Sequence, residues 1–252
     1  MKSFRIALLT FMAFVLAAWV APTEETAKQV IQKADDKLRG SSNKAEVSME
    51  IIRPEWSRAM TMRTWSLGRQ YSMVLILSPV KDKGTVSLKR KNELWNWMPS
   101  IERNIKISPS MMMQSWMGSD FTNDDLLKES SIVEDYEHSF DGSETIDGFD
   151  CHIIQLMPKP EAAVVWGKIK AWVSKKEYHQ LKVEYYDEDG YLVNTMICSD
   201  VKQMDDRELP TKWEMIPAEK EGHKTVMIYN KMDFEIDVKE SFFSIQNMKR
   251  VR

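Results

Sequence analysis

Residues 44–51 read Lys-Ala-Glu-Val-Ser-Met-Glu-Ile, and this short run decides the fold. Ala45, Val47, Met49 and Ile51 alternate with Lys44, Glu46, Ser48 and Glu50. Successive side chains of a strand point to opposite faces, so the pattern describes a strand with one face buried and one wetted. The same period returns at Tyr71, Met73, Leu75 and Leu77, at Val86 and Leu88, and at Ile101, Ile105 and Ile107. Further on it marks Ile169, Ala171 and Val173, then Leu181, Val183 and Tyr185, then Met232, Phe234 and Ile236. Turn pairs lie between the runs: Lys83-Gly84, Asp141-Gly142, Asp147-Gly148, Asp189-Gly190 and Glu221-Gly222. About ten or eleven strands joined by short turns imply one large antiparallel sheet, a mainly β fold. A sheet of that size curls, and its concave side must be filled.

Working outward from residue 44 toward the N-terminus, the period changes. Ala27, Val30, Ile31, Ala34 and Leu38 fall at i, i+3, i+4, i+7 and i+11, which predicts one amphipathic helix over 23–38. Thr23 is its expected cap, Glu24 and Glu25 suit the positive end of its dipole, and Gly40 ends it. Ahead of it, residues 1–21 read as a secretory signal. Lys2 and Arg5 precede an apolar run from Ile6 to Ala21, 16 residues broken only by Thr10. That is short of the ~20 residues that span a bilayer. Cleavage is expected within 17–21, leaving 22–252 as a single exported domain with no internal linker.

Composition removes several function classes. Thirty-five basic against 38 acidic side chains give a net charge of −3, unlike the clustered positive charge of a phosphate-backbone binder. No nucleic acid is expected as a partner. Two cysteines cannot make a disulfide scaffold or a four-thiolate zinc site, and whether Cys151 and Cys198 form a bridge stays open. His138, His152, His179 and His223 are scattered, and no Gly-x-Ser-x-Gly elbow is present. No catalysis, cofactor or resident metal is expected. Asp124-Asp125 is read as complementing a helix dipole rather than as an acid/base pair. Lys81, Lys83, Lys89, Arg90 and Lys91 form the one basic cluster and are expected on a solvated outer face, with a docking patch for anionic lipid or an acidic partner as the second reading. The 18 methionines and 9 tryptophans are what needs explaining.

Many of them concentrate in residues 95–127, WNWMPSIERNIKISPSMMMQSWMGSDFTNDDLL, where the alternation stops. Four methionines and two large aromatics occupy the eleven residues 111–121, and Thr122 then caps a short helix. Connections are normally polar, so this one is expected to cover something. Three readings stand: ordinary core plugging one end of the sheet, a Cu(I) site built from Met111, Met112, Met113 and Met117, or a lid over a hydrophobic ligand. Thioethers select Cu(I), but no His or Cys is nearby to firm up such a site. Unbranched Met repacks around guests of different shape, which favours the lid. The expected wall and lid comprise Trp95, Trp97, Met98, Met111, Met112, Met113, Trp116, Met117 and Phe121. Strand alternation lets only the Trp95/Trp97 pair or Met98 face inward.

The sequence resembles the outer-membrane lipoprotein-sorting superfamily, and most closely its LolA-like periplasmic members. The residues that carry the likeness are Trp95-x-Trp97-x-Pro99-Ser100-Ile101, Ile107-Ser108-Pro109-Ser110 and the block Trp116-Met117-Gly118-Ser119-Asp120-Phe121-Thr122 with Asp124-Asp125-Leu126. Ala171-Trp172-Val173, Leu209-Pro210-Thr211 with Trp213, and Ser241-Phe242-Phe243-Ser244 agree with it. The resemblance implies a half-open antiparallel β-barrel, with helices closing a hydrophobic cavity for acyl chains. It implies lipid or lipoprotein acyl chains as cargo, with an inner-membrane export pump and an outer-membrane acceptor as further partners. An accessory subunit of such a pump, with its cavity filled by its own side chains, is the competing reading.

Overall fold

The computed structural model describes residues 25–128, 132–162 and 164–251; the expected signal segment and Thr23 lie outside them. The described residues form thirteen strands, two or three more than the alternation announces. In chain order they are β1 (Ser42–Arg53), β2 (Trp56–Leu67), β3 (Tyr71–Ser78), β4 (Val86–Arg90), β5 (Glu93–Met98) and β6 (Arg103–Lys106). Then follow β7 (Tyr136–Ile146), β8 (Phe149–Pro158), β9 (Lys168–Ser174), β10 (Gln180–Tyr186), β11 (Leu192–Met204), β12 (Arg207–Pro217) and β13 (Lys224–Phe234). They make one antiparallel sheet in the order β6-β5-β4-β3-β2-β1-β13-β12-β11-β10-β9-β8-β7. The expected curled, unclosed sheet is what forms. Its edges are β6 and β7, and its middle is the pairing of β1 with β13.

The concave side is filled first by helix α1, Ala27–Arg39. Its cap, Thr26, stands three residues beyond the Thr23 of the sequence reading. Thr26 accepts from the Gln29 backbone while the Gln29 side chain accepts from the Thr26 backbone, a reciprocal capping box that fixes the first turn. The apolar stripe Ala27, Val30, Ile31 and Ala34 is buried against the sheet. Gly40 ends the helix at φ +61°, and its N–H reaches the Asp36 carbonyl. A side chain there would stand 2.8 Å from Glu235 Oε1, so both the turn and the packing require glycine.

A second layer covers the convex side over β2–β5. The chain after β13 runs back across it and ends in helix α3, Ile245–Met248, capped by the Ser244 hydroxyl. Phe243, Met248 and Val251 pack there on Trp65, Tyr71, Met73, Leu75, Val86 and Leu88. The rings of Tyr71 and Phe243 lie 5.7 Å apart, and those of Trp65 and Phe242 5.4 Å. Strands such as Val74-Leu75-Ile76-Leu77 are therefore covered on both faces, by interior on one and by the C-terminal segment on the other.

The two cysteines stay apart. Cys151 on β8 packs with Trp172 and Leu181, whereas Cys198 on β11 belongs to the inner core. Two strands separate them, roughly 14 Å along the sheet, far beyond disulfide reach. Both are buried free thiols.

Candidate functional site: a cavity inside the curled sheet

Antiparallel connectivity gives the half-barrel two ends. At the upper end lie the β2–β3 and β9–β10 turns and the C-terminus of α1; at the lower end lie the β1–β2 and β12–β13 turns. Between them, on the concave side, is a cavity of about 230 Å³. That exceeds the ~150 Å³ apolar hole that admits benzene. Its walls include Ile31 and Leu38 of α1, Met62 and Val74 of one half of the sheet, and Leu156, Ile169, Val183, Met196 and Trp213 of the other.

The connection from β6 to β7 crosses this cavity. Trp116 and Phe121 face into it and are 3% and 6% exposed. A tight loop holds them: the Trp116 N–H donates to the Phe121 carbonyl, and the Asn123 and Asp124 N–H groups donate to the Gln114 and Met112 carbonyls. The Trp116 indole N–H reaches the Ser87 hydroxyl at 3.2 Å. Helix α2, Asn123–Lys128, follows. The Thr122 hydroxyl accepts from the Asp125 N–H and the Asp125 carboxylate accepts from the Thr122 N–H, as the capping expectation requires. Asp125 also accepts from the Trp166 indole at 3.1 Å, so it has structural work at both ends.

At the lower end the crossing segment is latched. Arg53 donates to both carboxylate oxygens of Asp120, each at 3.0 Å, with the two side chains 11% and 6% exposed. The Thr225 hydroxyl donates to the same carboxylate at 2.6 Å, and the Asp120 N–H donates to the Thr225 hydroxyl. The Arg53 and Arg58 guanidiniums also donate to the carbonyls of Gly118 and Met117. Two positive φ angles, at Met117 and Gly118, bend the chain so that these carbonyls face outward to the arginines.

The upper end is polar. Asp35, only 7% exposed, accepts from Arg39 at 2.8 Å and from Arg69 at 2.6 Å, and Arg69 also reaches Asp36. Lys89 is buried and donates to the Arg69 carbonyl at 2.9 Å. On the opposite wall, His179 Nε2 lies 3.0 Å from the Lys37 ammonium and 3.1 Å from the Glu208 carbonyl. Burial first, and the Lys37 charge second, hold the His179 pKa below its ordinary value. Burial also lowers Lys37 and raises the Tyr136 hydroxyl, which lines the cavity near Asp124 and Asp125.

The nine residues expected as wall and lid divide among four surroundings. Trp116 and Phe121 line the cavity, and Met117 packs on the inner core beside them. Met111 and Met112 pack on Leu94 and Ile107 in a small separate cluster, while Met113 is 58% exposed. The four methionines thus fall in three surroundings: that small cluster, solvent and the inner core. Trp95 and Trp97 face the convex side, under the C-terminal segment, where Lys249 sits 4.8 Å from the Trp97 ring. Met98, the last residue of β5, is 37% exposed. The reason is register: Leu88 pairs with Trp95 and Val86 with Trp97 on the convex face, leaving Leu94 to line the cavity.

The basic cluster also divides. Lys81 and Lys83 sit in the lower β3–β4 turn and Arg90 and Lys91 at the upper end of β4, but Lys89 is turned inward and is 6% exposed. This corrects the expectation of a wetted outer face. The cavity residues that sequence reasoning missed are the hydroxyl-bearing ones of β2–β4, with Lys89 and Asp35. A polar residue alternating with apolar ones reads as solvent-facing, and nothing local distinguishes water from a cavity.

A family model described as "-like: Uncharacterized protein" matches residues 68–250. No curated protein matches the chain. Among solved structures, a DUF1329 family protein from Desulfovibrio piger superposes with a TM-score of 0.80 at 22% identity, covering 88% of this chain and 97% of its own. A putative outer membrane lipoprotein-sorting protein domain from Vibrio parahaemolyticus gives 0.78 at 22% identity, covering 89% and 98%. A LolA superfamily protein from Nitrosomonas europaea gives 0.75 at 24% identity, covering 88% and 99%.

Proposed function

Since the chain belongs to the family matched over residues 68–250 and has the fold of these lipoprotein-sorting and LolA superfamily structures, we propose that it is an exported, non-catalytic lipid carrier. It shelters one hydrocarbon tail, of a lipoprotein or another lipid, while the molecule crosses the periplasm toward the outer membrane. The observation that carries this reading is the cavity of about 230 Å³ beneath Trp116 and Phe121.

Each methylene withdrawn from water is worth ~0.8 kcal/mol, so a fourteen-carbon tail gains on the order of 10 kcal/mol. A bilayer offers nearly the same gain. The carrier therefore has to match membrane, exclude water in transit, and release to a better acceptor. A few kcal/mol of difference between closed and open arrangements gives the direction. The Arg53–Asp120 latch is an interaction of that size, and it holds the segment that roofs the cavity.

The test is lipid extraction under denaturing conditions from protein purified without detergent, followed by mass spectrometry. Acyl species at a stoichiometry near one per chain are expected. Protein that is dry, and that takes up no single-tailed lipid offered to it, refutes the carrier reading and leaves the accessory subunit of an export pump.

A further inference from the structure

Exposed hydrophobic side chains scattered singly over a surface are ordinary. Here they are sorted by end. Among the described residues, no upper turn carries an exposed large hydrophobic side chain, whereas Trp56, Val80, Met98, Ile101 and Tyr191 stand in lower turns or at the strand ends beside them. Val80 is 90% exposed, and Trp56 and Ile101 are each 52% exposed. Val80 occupies an ordered turn: the Asp82 and Lys83 N–H groups both donate to the Pro79 carbonyl at 3.0 Å, and the Gly84 N–H donates to the Ile76 carbonyl at 2.9 Å. Gly, Pro, Asn, Asp and Ser are what turns favour, and an apolar β-branched residue that buries almost nothing adds no stability to this one.

These tips adjoin one another on the β1–β6 side. A side chain at Gly84 would meet Pro99 at 3.6 Å, so the β3–β4 and β5–β6 turns touch and bring Val80 near Met98 and Ile101. Trp56 stands on the neighbouring β1–β2 hairpin, its ring 5.8 Å from the Arg53 guanidinium that holds the Asp120 latch. Charge divides the lower rim in the same way. Lys81, Lys83 and Arg103 are exposed around Val80 and Ile101, with Glu102 exposed and Asp82 half-buried among them. Across the half-barrel, the lower β10–β11 turn carries Asp187, Glu188 and Asp189 beside Tyr191 and has no basic residue. An anionic surface attracts the first side and repels the second.

We propose that the lower tips of the β1–β6 side are a contact surface for a bilayer displaying anionic lipid. Val80, Met98 and Ile101 enter the boundary between headgroups and acyl chains, and Lys81 and Lys83 lie among the lipid phosphates. Trp56 takes the interfacial level, where ring and N–H both find partners. A folded protein partner would need a continuous surface of about 800 Å² per side, whereas short apolar tips on separate turns suit a surface that yields around each of them. The inference does not depend on the carrier reading. Where both hold, the end that meets the membrane is the end that carries the Arg53–Asp120 latch.

Vesicle flotation tests this on the chain recovered after export, its mass showing that the apolar 1–21 run is gone. The vesicles are phosphatidylcholine alone, or phosphatidylcholine with about one third phosphatidylglycerol. The anionic vesicles bind at least about tenfold more tightly, a ratio that falls in high salt. Lys81→Gln with Lys83→Gln weakens that binding by about fivefold or more, the equivalent of one basic residue at an anionic surface. Val80→Asp with Ile101→Asp weakens it by at least about tenfold and leaves the melting temperature unchanged, since both side chains are mostly in solvent. Tyr191→Ser, on the acidic side, leaves it within about twofold. The contact surface is overturned if the unaltered chain binds neither kind of vesicle, if it binds both equally, or if Val80→Asp with Ile101→Asp binds as the unaltered chain does. Each of those results leaves lipid extraction from the cavity, and so the carrier reading, untouched.

Discussion

Replacing Asp120 by alanine isolates the latch at the lower end of the cavity. The substitution removes two charge-assisted bonds from Arg53 and one from the Thr225 hydroxyl, and leaves a guanidinium only 11% exposed without its carboxylate. Removing one partner of a buried ion pair costs ~3–5 kcal/mol, against the ~5–15 kcal/mol that holds a whole domain. The pair joins the crossing segment to the β1–β2 hairpin but is not part of any strand ladder. The loss is therefore expected in local opening of 112–124 before it is felt by the sheet. Hydrogen exchange reads it directly, because the amides of Trp116, Asn123 and Asp124 are bonded within that segment. Their exchange is expected to accelerate by about 100-fold, the equivalent of ~3 kcal/mol, while amides of the β1–β13 pairing move much less. Arg53→Met combined with Asp120→Ala should recover part of the loss, because no buried charge is then left alone. Unchanged exchange at those three amides in Asp120→Ala, with stability altered by less than ~1 kcal/mol, refutes the latch.

Three further outcomes follow from the packing. Trp116→Ala, inside the cavity, should cost ~3–5 kcal/mol and change lipid retention, whereas Trp97→Ala, on the convex face, should lower the melting temperature and leave retention as it was. Burial holds His179 and His138 below their ordinary pKa, so the unfolded chain takes up their protons first as pH falls. Stability is then full above the unfolded value of ~6.5 and declines as pH drops from there toward the folded values, and His138→Gln with His179→Gln should flatten a melting-temperature profile between pH 7 and 5. Alkylation without reductant should modify both cysteines in denaturant and neither in the native protein, a mass difference of two adducts; a chain that resists alkylation in denaturant has an intramolecular bridge and contradicts the separation of β8 from β11.

How much of this was readable depends on which faces meet water. β1 announces itself because Glu46 and Glu50 are exposed between the buried Ala45, Val47, Met49 and Ile51. β7 does not, because most of its residues are exposed and only pairing with β8 holds it extended. The stripe of α1 was legible, and its true cap was too: Thr26-x-x-Gln29 carries the capping-box signature that Thr23 lacks. The crossing segment was recognisable as a cover from its excess of Met and Trp, and Trp116 and Phe121 do face inward. The fate of Trp95 and Trp97 was not legible, since their partner is a segment some 150 residues later, about which β5 itself says nothing. The inward turn of Lys89 was hidden because alternation reports two faces without saying what either one meets.

The order of strands has a consequence for how the molecule is made. The strand at the middle of the sheet, β13, is the last to be synthesised, and its neighbour there, β1, is the first. Residues 42–106 form one meander and residues 136–234 another, each built from hairpins between chain neighbours and so quick to assemble. Joining them, β1 to β13, is the one strand pairing in the sheet between segments distant in the chain. Until it occurs β1 presents ten residues of unsatisfied edge, Asn43 to Ile52, the kind of edge on which other chains aggregate. A newly made copy is thus a pair of hairpin-built halves waiting for their seam, and it is there that an exposed edge has to be kept from other chains.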